Sequence, residues 1–68
     1  GGEQALCVEE RRTVETAIES YYALNGTDIA SLDDLVPDLL RESVSARWSM
    51  STDSGAPVIT GIGICDGA

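Results

Sequence analysis

The sequence contains no histidine and no lysine, and these two absences restrict the chemistry open to it. Without histidine it lacks the commonest general acid or base, and without lysine it has no amine for a Schiff base. The adjacent carboxylates Asp33 and Asp34 diverge on a helix, and no glycine-rich phosphate loop or Cys/His metal spacing is present. We therefore expect no enzyme, no cofactor and no metal centre.

Basic residues are also scarce. The sequence has four arginines and 12 acidic residues, which gives a net charge of −8. Nucleic acids and anionic lipids are bound through clustered cations, so this composition disfavours both as partners of the domain. The sequence also has no run of the ~20 apolar residues that would cross a bilayer, and no signal peptide. We interpret Gly1-Gly2 as a possible remnant of an expression vector.

With 68 residues, the chain forms one domain at most, residues 1–68, and its core alone gives marginal stability. Its two cysteines, Cys7 and Cys65, lie near opposite ends. A disulfide between them would stabilise the fold by roughly 4 kcal/mol in the chain-entropy model. The alternative is two unrelated buried thiols in a reducing compartment. We favour the disulfide, and with it an exported protein.

Helical periodicity runs from about Glu3 to Asn25. The apolar stripe consists of Cys7, Val14, Ile18 and Tyr21, with Ala17 and Leu24 at its edge. Arg11 and Glu15 are spaced i,i+4, which supports the helix, and Asn25-Gly26 predicts its end. This pattern predicts one long amphipathic helix with one packed face.

A short helical turn is predicted next. Ser31 and Asp34 have capping-box spacing, and Pro37 should end or kink the turn. The leucines expected to anchor this segment on the core are Leu32, Leu35, Leu39 and Leu40.

The period changes to two after Arg41. Alternation of Val44, Ala46, Trp48 and Met50 with polar residues predicts a half-buried strand. Residues 52–57 form a turn cluster, and residues 58–65 are predicted to form a second strand. Two packings of that strand stay open. Either Ile59, Gly61, Gly63 and Cys65 all face the helix, or a bulge at Gly61 or Gly63 turns the other isoleucines inward.

The predicted fold is therefore α+β: a long N-terminal helix packed on a small antiparallel hairpin, with a short helical turn between them. Calcium is the one metal for which the sequence offers candidate ligands, namely oxygen atoms of Asp53, Ser54 and Asp66. The spacing matches no EF-hand, and a solvated turn is the preferred interpretation.

Residues 13–26 and 31–36 resemble the helix end and following loop of type IV pilins and of type II secretion major pseudopilins. The run Ala-Ile-Glu-Ser-Tyr-Tyr-Ala-Leu-Asn-Gly at positions 17–26 is the most distinctive part. The cysteine placement resembles that of Gram-positive, particularly actinobacterial, pilin-like proteins. The likeness covers roughly residues 5–65. Family members usually carry Tyr-Pro shortly after Asn-Gly, where this chain has Asp28-Ile29.

The resemblance implies a structural subunit of a type IV pilus on the cell surface, anchored in the membrane before assembly. It would serve adhesion, motility or uptake, and it would polymerise through a hydrophobic helix half upstream of this sequence, with other pilins and the assembly machinery as partners. Tyr22, Glu3 and Glu10 are the candidate contacts with neighbouring subunits. A secretion pseudopilus is the first alternative, and a small secreted, disulfide-closed binding module is the alternative from another class.

Overall fold

The computed structural model describes residues 2–68, with side chains from Gln4 onward. Helix α1 spans Gly2–Asn25. A 3-10 turn at Leu32–Leu35 follows, then strands β1 (Trp48–Ser51) and β2 (Val58–Gly61), and a second 3-10 turn at Gly63–Cys65. The two strands form one antiparallel sheet. The fold is the small α+β arrangement predicted from the sequence.

Helix α1 packs through the predicted stripe. Cys7, Val14 and Ile18 are buried and Tyr21 packs against the core, whereas Leu24 is exposed. Leu24 stays outside because it lies about 100° around the helix from Cys7.

The helix ends where Asn25-Gly26 predicted. The N–H of Gly26 donates to the Tyr22 carbonyl at 2.8 Å, and Gly26 has a φ of 74°, the left-handed conformation that glycine adopts without strain.

The segment after the helix is anchored by leucines, as predicted. Leu32, Leu35 and Leu40 are buried, and Leu39 packs at the edge of the core. The Asp34 carboxylate accepts hydrogen bonds from the N–H groups of Ala30 and Ser31 at 2.8 and 3.2 Å, so it fixes the start of the turn. Before Pro37 the backbone of Val36 is extended, which agrees with a stop at the proline.

Both strands are shorter than predicted. The N–H groups of Arg47 and Trp48 each donate to the Val44 carbonyl at 3.0 Å, so residues 44–47 form a turn and β1 starts at Trp48. The prediction that Ala46 faces inward is wrong, because this turn leaves its side chain exposed. In the sheet, Trp48 pairs with Gly61 and Met50 pairs with Ile59.

Strand β2 settles the open question of register. Ile59, Gly61 and Cys65 are buried, so this face turns inward as far as Gly61, but Gly63, predicted to lie on the same face, is exposed. The predicted continuation of the strand through Cys65 is wrong: β2 ends at Gly61, and the second 3-10 turn, not a bulge, brings Cys65 to the helix. The turn is possible because Gly63 adopts a φ of 59°.

Gly61 is required by close packing. A Cβ at this position would overlap the carbonyl oxygen of Cys65 and would lie 3.4 Å from Cζ3 of Trp48. The absent side chain therefore lets the C-terminal turn fold back over the sheet beside the tryptophan.

A single core joins all elements. Its buried members are Cys7, Val14, Ala17, Ile18, Ile29, Leu32, Leu35, Leu40, Val44, Trp48, Ile59 and Cys65. Trp48 is the largest of its fully buried side chains, so the core is organised around this one indole.

Candidate functional site

The first feature that positions functional groups is the disulfide between Cys7 and Cys65, which confirms the predicted pairing. The two Cα atoms lie 5.4 Å apart although 58 positions separate them in sequence. The bond therefore ties the first turns of α1 to the C-terminal 3-10 turn. Since both sulfurs are in the bond, neither cysteine is available as a thiolate nucleophile.

Glu10 lies beside the disulfide and joins helix to sheet. Its carboxylate accepts hydrogen bonds from Arg47 Nε at 2.6 Å, Arg47 Nη2 at 3.2 Å and the Trp48 indole N–H at 2.8 Å. The hydrogen bonds from Arg47, helped by the one from Trp48, lower the pKa of Glu10 below its ordinary value despite partial burial. The same ion pair raises the pKa of Arg47. This bidentate pair holds the start of β1 against α1.

Arg11 covers the other side of the same indole. Its guanidinium carbon lies 5.5 Å from the ring centroid of Trp48, and its Nη2 donates to the Ile59 carbonyl at 3.1 Å. Nη1 also lies 3.9 Å from the Glu15 carboxylate, the predicted i,i+4 pair. Arg11 is thus held by the sheet, a cation–π contact and its own helix.

Sequence reasoning missed this cluster of Glu10, Arg11, Arg47 and Trp48. One signal was available: a lone tryptophan on the inward face of a strand needs an acceptor for its indole N–H. The sequence offered several carboxylates, and only the packing of helix on sheet selects Glu10. We call these four residues with the disulfide the clasp.

The second feature is a surface cleft at the other half of α1. It has a volume of about 660 Å³ and lies where α1, the loop after it and the turn between β1 and β2 meet. Its lining residues are Glu15, Ile18, Glu19, Tyr22, Asp28, Ala56 and Pro57. We call this the acidic cleft, because three of its seven residues are carboxylates.

The carboxylates of the cleft are exposed. Glu15 has the 3.9 Å contact with Arg11, and among the described residues Glu19 and Asp28 have no ion-pair partner. Glu15 and Glu19 repel one another at i,i+4 spacing. Tyr22 is 54% exposed at the wall of the cleft. A negative, partly apolar hollow with an accessible aromatic ring is suited to a cationic group.

The residues predicted to contact other subunits lie in different places. Tyr22 lines the acidic cleft, whereas the Glu10 carboxylate is engaged by Arg47 and Trp48 of its own chain. The Glu3 side chain lies outside the described part of the structure. A contact of any of the three with another subunit stays a prediction.

The candidate calcium ligands do not converge. Asp53 and Ser54 lie in the turn before β2, and Asp66 follows the second 3-10 turn. Strand β2, four residues or roughly 13 Å long, separates them. Among the side chains of residues 4–68, no group of three or more His, Cys, Asp or Glu is arranged to hold a metal ion.

Two apolar side chains are exposed next to the disulfide. Leu6 is 70% exposed and Ile64 is 69% exposed, and both line a smaller hollow of about 300 Å³ beside Cys7 and Cys65. On the opposite flank of the helix, Val8 is 53% exposed. In the part of the chain that the structure describes, no helix has the length and apolar character needed to cross a bilayer.

Comparisons of the chain with family models, with curated proteins and with solved structures found no match.

Proposed function

We propose that this chain is the surface domain of a structural filament subunit of the type IV pilin kind. The observation that carries the proposal is the position of α1. The helix is 24 residues, about 36 Å, long and nearly equals the longest dimension of the molecule, 38 Å. One face packs on the core, while Leu6 and Val8 are exposed on both sides of Cys7. A helix whose first turns expose apolar side chains on two sides is typical of a helix that packs against other subunits in an assembly.

The clasp supports a mechanical role. It joins the N-terminal half of α1 to the sheet and to the C-terminal turn through a disulfide, an ion pair and an arginine that lies over the Trp48 ring. A subunit pulled through its helix would transmit force to the sheet through these contacts. The pilin-like run at residues 17–26 supports the same function independently.

Under this proposal an apolar helix half precedes the domain and packs in the filament interior, with the exposed Leu6 and Ile64 nearest to it. The acidic surface then faces water at the cell exterior and keeps the filament soluble. The role is structural and not catalytic.

Two other functions remain as alternatives. A major pseudopilin of a secretion system would share the fold, and a calcium requirement for folding would favour it. A small secreted binding module is favoured by the acidic cleft, which has room for a cationic ligand.

The test begins with the residues encoded upstream of this sequence. We expect an apolar run of ~20 residues that starts near a glutamate. The full-length chain, produced with pilus assembly proteins, should sediment as filaments visible by electron microscopy. A cleavable signal followed directly by this domain, with a full-length product that stays monomeric, would reject the filament subunit in favour of the binding module.

A further inference from the structure

Few cations are available to bring together copies of this 68-residue domain, which carries a charge of −8. Of the four arginines, Arg11 and Arg47 are held in the clasp. Arg12 and Arg41 are exposed, and among the described residues neither lies within ion-pairing distance of a carboxylate. Arg12 and Arg41 are therefore the arginines most available for contacts between copies that relieve the repulsion.

The positions of these two arginines differ. Arg12 precedes Glu15 by three residues and Glu19 by seven, so it lies on the same side of α1 as the acidic cleft. Arg41 lies in the segment between the first 3-10 turn and β1, which does not line the cleft. A contact between Arg41 and the cleft would therefore join two different patches. Such head-to-tail contacts build open filaments when the rotation does not close a ring.

We propose that the acidic cleft is the docking site for Arg41 of a second copy of this chain. The guanidinium binds among the carboxylates of Glu15, Glu19 and Asp28, which offer more acceptor oxygens than one arginine needs. The Tyr22 ring adds a cation–π contact.

Ile18 and Pro57 supply apolar surface for the aliphatic part of the incoming arginine. The inference rests on the proposed filament function and names the contact between subunits.

The absence of lysine provides a direct test. Arg41→Lys keeps the charge and introduces the only lysine of these 68 residues, and a carbodiimide couples its amine to any carboxylate in direct contact. Filaments of the full-length chain, assembled from a mixture of ¹⁵N-labelled and unlabelled subunits, should give amide cross-links from position 41 to Glu15, Glu19 or Asp28. Half-labelled peptide pairs in the mass spectrum identify links between different copies. Arg12→Lys is the matched control, and we expect it to give links only within one copy.

Charge reversal supplies a second measurement. Arg41→Glu and Glu19→Arg should each raise the critical concentration for assembly about tenfold, and the double variant should restore it to within about threefold. Glu9→Arg, the same exchange at a position of α1 that does not line the cleft, should change it less than twofold.

Filaments in which position 41 is linked to other carboxylates, or to none, would overturn the docking contact and leave the filament function standing. If the full-length chain forms no filaments under assembly conditions, the proposed function and the docking contact both fail.

Discussion

The two halves of α1 use their charged residues differently. In the N-terminal half, Glu10 and Arg11 reach inward to Arg47, Trp48 and the Ile59 carbonyl. In the C-terminal half, the charged groups remain at the surface around the acidic cleft. The first half ties the helix to the sheet, and the second half leaves its carboxylates available to a partner.

Under the proposed function, this difference separates the residues that stabilise the fold from those that contact another copy. Ion pairs that also satisfy a buried indole N–H are costly to remove, because a polar group is left unsatisfied. Exposed carboxylates contribute little to folding, and their repulsion at i,i+4 spacing opposes it slightly. Substitutions in the clasp should therefore lower the free energy of unfolding, and substitutions in the cleft should affect contacts between copies.

The largest effect is expected for the disulfide. Replacing both Cys7 and Cys65 with alanine should lower the free energy of unfolding by about 4 kcal/mol, because the unfolded chain regains the freedom of a loop of nearly its whole length. Urea unfolding followed by Trp48 fluorescence measures this loss in the free energy of unfolding. A loss below about 1 kcal/mol would mean that the clasp holds without its covalent bond.

The next effect is expected at Gly61. Gly61→Ala should destabilise the domain by about 3 kcal/mol or more, since the new Cβ overlaps the Cys65 carbonyl. Thr60→Ala, at the adjacent exposed position, is the matched control and should cost less than about 1 kcal/mol. Equal effects of the two substitutions in thermal unfolding would contradict the close packing of the C-terminal turn.

Glu10→Gln should cost about 2 kcal/mol, because it removes the charge from two hydrogen bonds with Arg47 and one with Trp48. Glu9→Gln, one position away on the exposed face, should change the stability by less than about 0.5 kcal/mol. If both variants unfold at the same urea concentration, the clasp does not depend on the ion pair.

The pH dependence of the stability follows from the Glu10 carboxylate as well. The folded-state pKa of Glu10 is lowered from an ordinary value of 4.5, so the unfolded chain binds this proton more tightly. The stabilisation is present above pH 4.5 and is lost as the pH falls through the folded-state pKa. Unfolding of wild type and Glu10→Gln between pH 6 and pH 2 should therefore converge in acid. A constant difference over this range would contradict the lowered pKa.

The smallest effect on stability is expected in the acidic cleft. Glu15→Gln combined with Glu19→Gln should leave the free energy of unfolding within about 0.5 kcal/mol of wild type, since exposed pairs contribute little. The same double variant should weaken filament assembly. If its free energy of unfolding is lower than that of wild type by several kcal/mol, the carboxylates of the cleft stabilise the fold, and the contrast between the two halves of α1 is lost.

Local patterns predicted most of the elements. Residues close in sequence determine the apolar stripe, the stop at Asn25-Gly26 and the Asp34 cap. The disulfide could be predicted because each of the two cysteines has only one possible partner. The strand ends could not be predicted in this way. β1 starts late because Val44 accepts hydrogen bonds that close a turn, and β2 ends early because Cys65 must reach Cys7.

The candidate site was less accessible to sequence reasoning. Tyr22 was recognised as a surface residue, but the cleft exists only because the loop at Asp28 and the turn at Pro57 converge on the helix. Glu10 was predicted to contact a neighbour on its family resemblance, and the structure shows its carboxylate bound within the chain. Contacts between distant segments decide that Glu10, one of 12 acidic residues, is partly buried and bonded within the chain.

The structure of the assembled filament by electron cryomicroscopy is the most direct test. We predict that α1 enters the filament interior, that the clasp is intact, and that the guanidinium of Arg41 lies within about 4 Å of a carboxylate in the cleft of the adjacent subunit. A filament in which the cleft faces solvent and α1 lies at the outer surface would contradict this prediction.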